Sequence, residues 1–130
     1  MSQRSPTIRM HLWLETDEGV CFGLGRALLL AKIDEYGSLK QAAHELGMSY
    51  RAAWGKLKQT EAIIGVKLVT KTGNRREGCQ LTPTGRMLMD RFLTWFATVE
   101  QEALRKAQEI LPWPVKSYES AELLIAEVSS

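Results

Sequence analysis

Between Gly37 and Gly65 the sequence spells two helix starts and two helix stops in quick succession, and that spacing constrains the fold more than any other feature. Ser38-Leu-Lys-Gln41 reads as a capping box, in which the Ser38 hydroxyl accepts from the Gln41 amide and the Gln41 side chain reaches back. A helix therefore begins at Leu39, buries Leu39, Ala42, Ala43 and Leu46, and ends at Gly47. Its small Ala42-Ala43 pair lets another helix approach closely. Met48 bridges the turn, Ser49 supplies a second N-cap, and a second helix runs from Tyr50 to about Ile64, where Gly65 stops it. Two short helices joined by a glycine-containing turn of three to four residues are a helix-turn-helix.

The flanks fit that unit. Thr7 to Glu15 alternates, with Ile8, Met10, Leu12 and Leu14 on one face, which predicts a half-buried strand. A polar link over Thr16 to Gly19 leads to a helix over Leu24 to Tyr36, with Leu24, Leu28 and Ala31 at helical spacing and Gly37 as its stop. Beyond Gly65, Lys67 to Lys71 and Gly78 to Thr82 read as short strands around Thr72-Gly-Asn-Arg-Arg-Glu77, a basic-tipped hairpin of the kind called a wing. Thr82 caps and Pro83 opens a long helix reaching about Gln108 or Glu109, before Pro112-Trp-Pro114 breaks the pattern. On it Phe92, Phe96, Val99, Ala103, Ala107 and Ile110 make a nearly heptad-like seam, flanked by Leu88 and Trp95. A rod of roughly 40 Å is more than so small a domain covers alone, so the seam predicts a second copy as its partner. The expected fold is mainly α with a small β component: a winged helix-turn-helix over residues 1–110, with a long C-terminal dimerisation helix over about 83–110. Residues 111–130 form a tail, with a short amphipathic segment over Ser117 to Val128 as its only candidate element.

Charge is unevenly placed. Residues 1–37 carry 4 Lys/Arg against 5 Asp/Glu, residues 38–86 carry 9 against 3, and residues 87–130 carry 4 against 7. A middle of net +6 between acidic ends either meets a polyanion or is a solvated face. At 130 residues a two-lobed cofactor enzyme is excluded, and no apolar run approaches the roughly 18 residues that cross a bilayer. The N-terminus shows no export pattern, so a soluble cytoplasmic protein is expected. Cys21 and Cys79 stand far apart without a second ligand, as reduced thiols rather than a disulfide or zinc site. His11 and His44 lack carboxylate or cysteine partners at ligand spacing, and there is no phosphate-cradling glycine loop or nucleophile elbow. Neither catalysis nor a metal or other cofactor is expected.

On a helical wheel starting at Tyr50, Ala53, Leu57, Thr60 and Ile64 fall between roughly 280° and 340°, the sector facing the core. Tyr50, Arg51, Trp54, Gly55 and Lys58 fall between roughly 0° and 140° and face outward. Long donors for base edges and phosphates, with apolar surface for thymine methyls, suit a helix entering a major groove, and Gly55 removes bulk there. Trp54 lies between the sectors and packs inward or reads DNA. Lys40, Lys71, Asn74, Arg75 and Arg76 are candidates for phosphate or minor-groove contact, or else solvated charges. Ser38 and Ser49 are plain caps that can also present amides to phosphate.

The run Gly37-Ser-Leu-Lys-Gln-Ala-Ala-His-Glu-Leu-Gly-Met-Ser-Tyr-Arg-Ala-Ala-Trp54, with Gly65-Val-Lys-Leu68 and Leu81-Thr-Pro-Thr-Gly85, resembles the N-terminal DNA-binding domain of ModE-type molybdate-responsive regulators, relatives of the LysR type. The resemblance covers about residues 7–110, and the Ser-Tyr-Arg-Ala-Ala-Trp stretch points to ModE. It implies a winged helix-turn-helix whose fourth helix dimerises and whose recognition helix is led by Ser49, Tyr50 and Arg51. Full-length ModE regulators carry a C-terminal oxyanion-binding region that the 20 residues from Leu111 to Ser130 cannot form, so molybdate binding is not expected of this chain alone. The expectation is a homodimeric, sequence-specific transcriptional regulator of double-stranded DNA. The alternative is a winged-helix adaptor that binds protein without DNA.

Overall fold

The computed structural model describes residues 5–73 and 78–117. Four helices carry the fold: α1 (Leu24–Tyr36), α2 (Leu39–Glu45), α3 (Tyr50–Ile64) and α4 (Pro83–Ile110). Three two-stranded sheets decorate them, pairing β1 (Thr7–Ile8) with β6 (Lys116–Ser117), β2 (Trp13–Thr16) with β3 (Gly19–Gly23), and β4 (Val69–Lys71) with β5 (Cys79–Leu81). Helix boundaries follow local chemistry. Ser38 Oγ accepts from Gln41 N at 3.1 Å, Ser49 Oγ from Ala52 N at 3.0 Å, and Thr82 Oγ1 from Gly85 N at 3.0 Å, each satisfying an N–H of a first helical turn. Gly37 and Gly65 close α1 and α3 in the left-handed region at φ 66° and 74°, where a side chain is disfavoured.

The core sits where α1 crosses α2 and α4. Leu29, Leu30 and Ile33 of α1 are sealed against Ala42 and Ala43 of α2, Ala53 and Leu57 of α3, and Leu68 beyond it. Both alanines of the pair are fully buried. Phe22 of β3 meets Phe92 of α4 edge-on at 5.4 Å between ring centres. Gly85 lies against the Leu68 backbone so closely that a Cβ there would stand 2.2 Å from the Leu68 carbonyl oxygen.

The first strand departs from expectation. Thr7 to Glu15 is not one strand: it pairs at its two ends with different partners, and residues 9–12 between them lie outside both strands. The early residues find β6, in the parallel register Thr7 with Lys116 and Ile8 with Ser117, whereas Trp13 to Thr16 turn back on Gly19 to Gly23 with a register shift between Leu14 and Glu15. Burial still alternates from Thr7 to Trp13, with Ile8, Met10 and Leu12 half-buried as expected, and the pattern fails at Leu14. Leu14 is 48% exposed, not buried, and the Thr16–Gly19 link is the turn of a hairpin, with Gly19 at φ 122°.

The long helix ends at Ile110, and the tail folds back. Gln108 clips it, its Nε2 donating to the Val115 carbonyl at 2.7 Å and its Oε1 accepting from Val115 N at 3.3 Å. Val115 is buried, and Lys116 N donates to the Pro6 carbonyl at 2.9 Å, joining tail to N-terminal segment. The segment expected over Ser117 to Val128 lies outside the described residues except for Ser117, which belongs to β6.

Candidate nucleic-acid interface

Helix α3 is held from behind and bare in front. Its inner side buries Ala53, Leu57, Thr60 and Glu61. Arg26 of α1 locks the C-terminal half: Nη1 donates to the Val20 carbonyl at 2.8 Å and Thr60 Oγ1 at 2.9 Å, and Nη2 to Gln59 Oε1 at 2.7 Å. Thr60 Oγ1 in turn donates to the Cys21 carbonyl at 2.6 Å. These bonds tie α3 to α1 and β3, so the helix is presented as a rigid body.

The opposite face is open. Tyr50 is 49% exposed, Trp54 39%, and Arg51 and Gly55 are exposed beside them. Trp54 does not sink against α2; Lys58 Nζ lies over its ring, 4.4 Å from the centre. A Cβ added at Gly55 would meet nothing within 4 Å, so the absent side chain serves no internal contact.

Glu61 is the residue the wheel misplaces. Its position falls at roughly 20°, in the outward sector, yet its side chain is 8% exposed. Oε2 accepts from Leu68 N at 2.7 Å and from Val69 N at 3.4 Å, while Oε1 accepts from Lys58 Nζ at 3.3 Å. One carboxylate thus joins the recognition helix, the start of the wing and the lysine that stacks on Trp54. The local sequence signal is only an acid four residues before the Gly65 stop; the N–H groups it accepts from lie three and four residues past that stop.

The wing is rooted on both sides. Thr82 N donates to the Leu68 carbonyl at 2.9 Å and Thr82 Oγ1 to the Lys67 carbonyl at 2.7 Å. Cys79 N donates to the Gly37 carbonyl at 3.0 Å, and Ser38 bridges Gly78. Burial pushes the Cys79 thiol up from its ordinary value, outweighing a backbone hydrogen bond at Leu39 that lowers it. Lys71 ends β4 on the surface; Asn74, Arg75 and Arg76 lie outside the described residues. Ser38 is 8% exposed and its hydroxyl is used as a cap, so it offers little surface to a ligand, whereas Ser49 and Lys40 are exposed.

The seam of α4 divides in two. Phe92 and Phe96 are 5% and 3% exposed and belong to the protomer's own core, which the periodicity could not distinguish from a seam awaiting a partner. Val99, Ala103 and Ala107 are half-buried, Leu88 is partly buried against the core, and Trp95 and Ile110 are 40% and 74% exposed. Among the described residues there is no group of His, Cys, Asp and Glu that could hold a metal ion. No helix among them is long and apolar enough to cross a membrane.

Residues 24–86 match the family of bacterial regulatory helix-turn-helix proteins of the lysR type. Among curated proteins, the molybdenum-pterin-binding protein MopB of Rhodobacter capsulatus is 37% identical over 73 residues, covering 55% of this chain and 27% of MopB. The molybdenum transport protein ModE of Azotobacter vinelandii is 33% identical over 78 residues, covering 58% of this chain and 29% of ModE. The chain therefore spans less than a third of the length of these relatives. Among solved structures, the BenM_DBD/benA site 1 DNA complex aligns over 70% of this chain and 99% of its own, with TM-score 0.56 and 15% identity. The CbnR_DBD-DNA complex aligns over 68% and 98%, with TM-score 0.57 and 18% identity. At those identities the likeness concerns the fold, which is a winged helix-turn-helix in all three. Caps, helix boundaries, wing and family match coincide on one stretch of chain: residues 24–86 fold as a winged helix-turn-helix and match the lysR-type helix-turn-helix model.

Proposed function

We propose that this chain is a sequence-specific, DNA-binding transcriptional regulator that acts as a homodimer. The observation that carries the proposal is the outward face of α3, where Tyr50, Arg51, Trp54 and Lys58 stand on a helix fixed from behind by Arg26 and Thr60. Inserted in the major groove, Arg51 and Tyr50 in the first turn reach base edges, and Gly55 lets the helix axis approach. Ser49 and Lys40 face the phosphates, with Lys71, Asn74, Arg75 and Arg76 gripping the flanking backbone from the wing. The solved neighbours named as DNA complexes support this reading. Dimerisation is assigned to Trp95, Leu88 and the half-buried to exposed run Val99, Ala103, Ala107 and Ile110 of α4. Such a protein works in the cytoplasm, beside the chromosome, and the reading assigns it no catalytic step. The molybdenum in the relatives' names belongs to proteins of which this chain spans 27–29%, and no molybdenum chemistry is carried over.

Selection of bound duplexes from a random pool, followed by anisotropy titration against salt, tests the proposal. The expected result is a two-fold related motif with half-sites about one helical turn apart. The slope of log K against log salt should be steeper than about −4, since each neutralised phosphate contributes about −0.9. Absence of affinity for any duplex at about 50 mM salt would overturn the proposal in favour of the protein adaptor.

A further inference from the structure

A cavity of about 630 Å³ opens between α3 and the wing, within the range that takes a small organic ligand. Its floor is apolar: Leu39, Val69 and Cys79 are 3%, 9% and 8% exposed. Tyr50 and Trp54 supply aromatic walls, and Lys58, Lys67 and Lys71 supply its charged residues, with no carboxylate among the described residues that line it. A bare phosphate needs only the lysines, and a neutral hydrocarbon only the floor and the rings. The combination suits a molecule that is flat, apolar over most of its surface and negatively charged at one edge.

From this arrangement we infer that the cleft between α3 and the wing binds an aromatic acid of one or two rings and that this ligand excludes DNA. The ring system stacks against Tyr50 and Trp54 over the Leu39–Val69 floor, and the acid group meets Lys67 and Lys71, since Lys58 is held by Glu61 and the Trp54 ring. Exclusion follows from shared residues, because Tyr50, Trp54, Lys58 and Lys71 are also assigned to the duplex. The binding half stands by itself; the exclusion half rests on the DNA reading above.

The probe is 2-naphthoate, with uncharged 2-naphthylmethanol as control, titrated into the full chain while the four tryptophan indole N–H signals are followed by NMR. The expected result is a saturable shift of the Trp54 signal, with Trp13, Trp95 and Trp113 unmoved and the alcohol binding at least about tenfold more weakly. Lys67→Ala, an exposed rim residue with no assigned DNA contact, should weaken naphthoate about fivefold, the upper range for an exposed ion pair. With the selected duplex present, naphthoate at about ten times its dissociation constant should weaken DNA binding about tenfold. Equal shifts at all four tryptophans, equal affinity for the alcohol, or no binding at millimolar probe overturns the site. A Trp54-specific shift that leaves duplex affinity unchanged overturns the exclusion while leaving the pocket standing. If the chain binds no duplex, the indole shifts alone decide the pocket.

Discussion

Removing the carboxylate of Glu61 tests the view that α3 and the wing are one mechanical unit. In Glu61→Ala the buried Leu68 N–H loses an acceptor at 2.7 Å and Val69 N–H one at 3.4 Å, at a side chain only 8% exposed. A hydrogen bond to a charged group contributes about 1.5–3 kcal/mol, and a stranded buried donor costs about 1–3 kcal/mol, two descriptions of the same loss. The partly exposed Lys58 contact adds little. The expected destabilisation is therefore about 2–3 kcal/mol. With an unfolding entropy of about 2.1 cal/mol/K per residue, that lowers Tm by about 10 °C. Glu61→Gln keeps an oxygen for Leu68 and gives up only the charge, so about 1 kcal/mol and about 4 °C are expected. Thermal unfolding followed by circular dichroism at several protein concentrations measures both while controlling for assembly. If the two variants lose the same amount, or alanine loses less than about 0.5 kcal/mol, Glu61 does not anchor the wing.

Gly55→Ala should raise stability by about 0.5–1 kcal/mol, because a mid-helix glycine is replaced where nothing obstructs a Cβ, yet weaken duplex binding through a shorter reach into the groove. Thermal melts and anisotropy on the same sample separate the two effects. Gly85→Ala should cost about 3 kcal/mol or prevent folding, since its Cβ meets the Leu68 carbonyl at 2.2 Å and neither backbone can yield; urea unfolding reads it. Arg51→Ala should cost about 1–3 kcal/mol on the selected duplex and relax base preference, whereas Lys71→Ala should weaken all duplexes alike and flatten the salt slope by about 1. The Tyr36 phenol, pushed up to about 12 by burial and by hydrogen bonds to Glu45 and Glu35, stays protonated in the folded state above the ordinary value of 10.0. Its contribution to stability is complete below about pH 10, declines between 10 and 12 as the unfolded chain releases the proton first, and is gone above. Unfolding at stepped alkaline pH should show that decline, and Tyr36→Phe should remove it.

The sequence announces its helices through contacts that are three residues long. Ser38, Ser49 and Thr82 each reach the third residue on, and Gly37 and Gly65 each close the turn before them, so these five boundaries are written beside the elements they bound, whereas α1 starts at Gly23 with no side-chain cap. What stayed hidden depends on residues far apart in the chain. Ile8 finds Ser117, a partner no alternation in the N-terminal segment reveals, and Leu14 is exposed in a hairpin with Gly19 to Gly23, a strand that no expected element covered. Periodicity on α4 identified an apolar stripe correctly but carried no record of who covers it; Phe22 and α1 take Phe92 and Phe96 before any second copy arrives. Glu61 drew no expectation, because a wheel sees one helix, whereas its partners lie past the turn.

The pairing of β1 with β6 brings polypeptide from the two extremes of the described fold to a single corner. Because those strands run parallel, tension applied between the segment ahead of Thr7 and the one following Ser117 loads their hydrogen bonds in shear rather than peeling them apart one by one. A tether pulled at that corner meets the Gln108 clasp around Val115 before it reaches the packing that holds α3 in place.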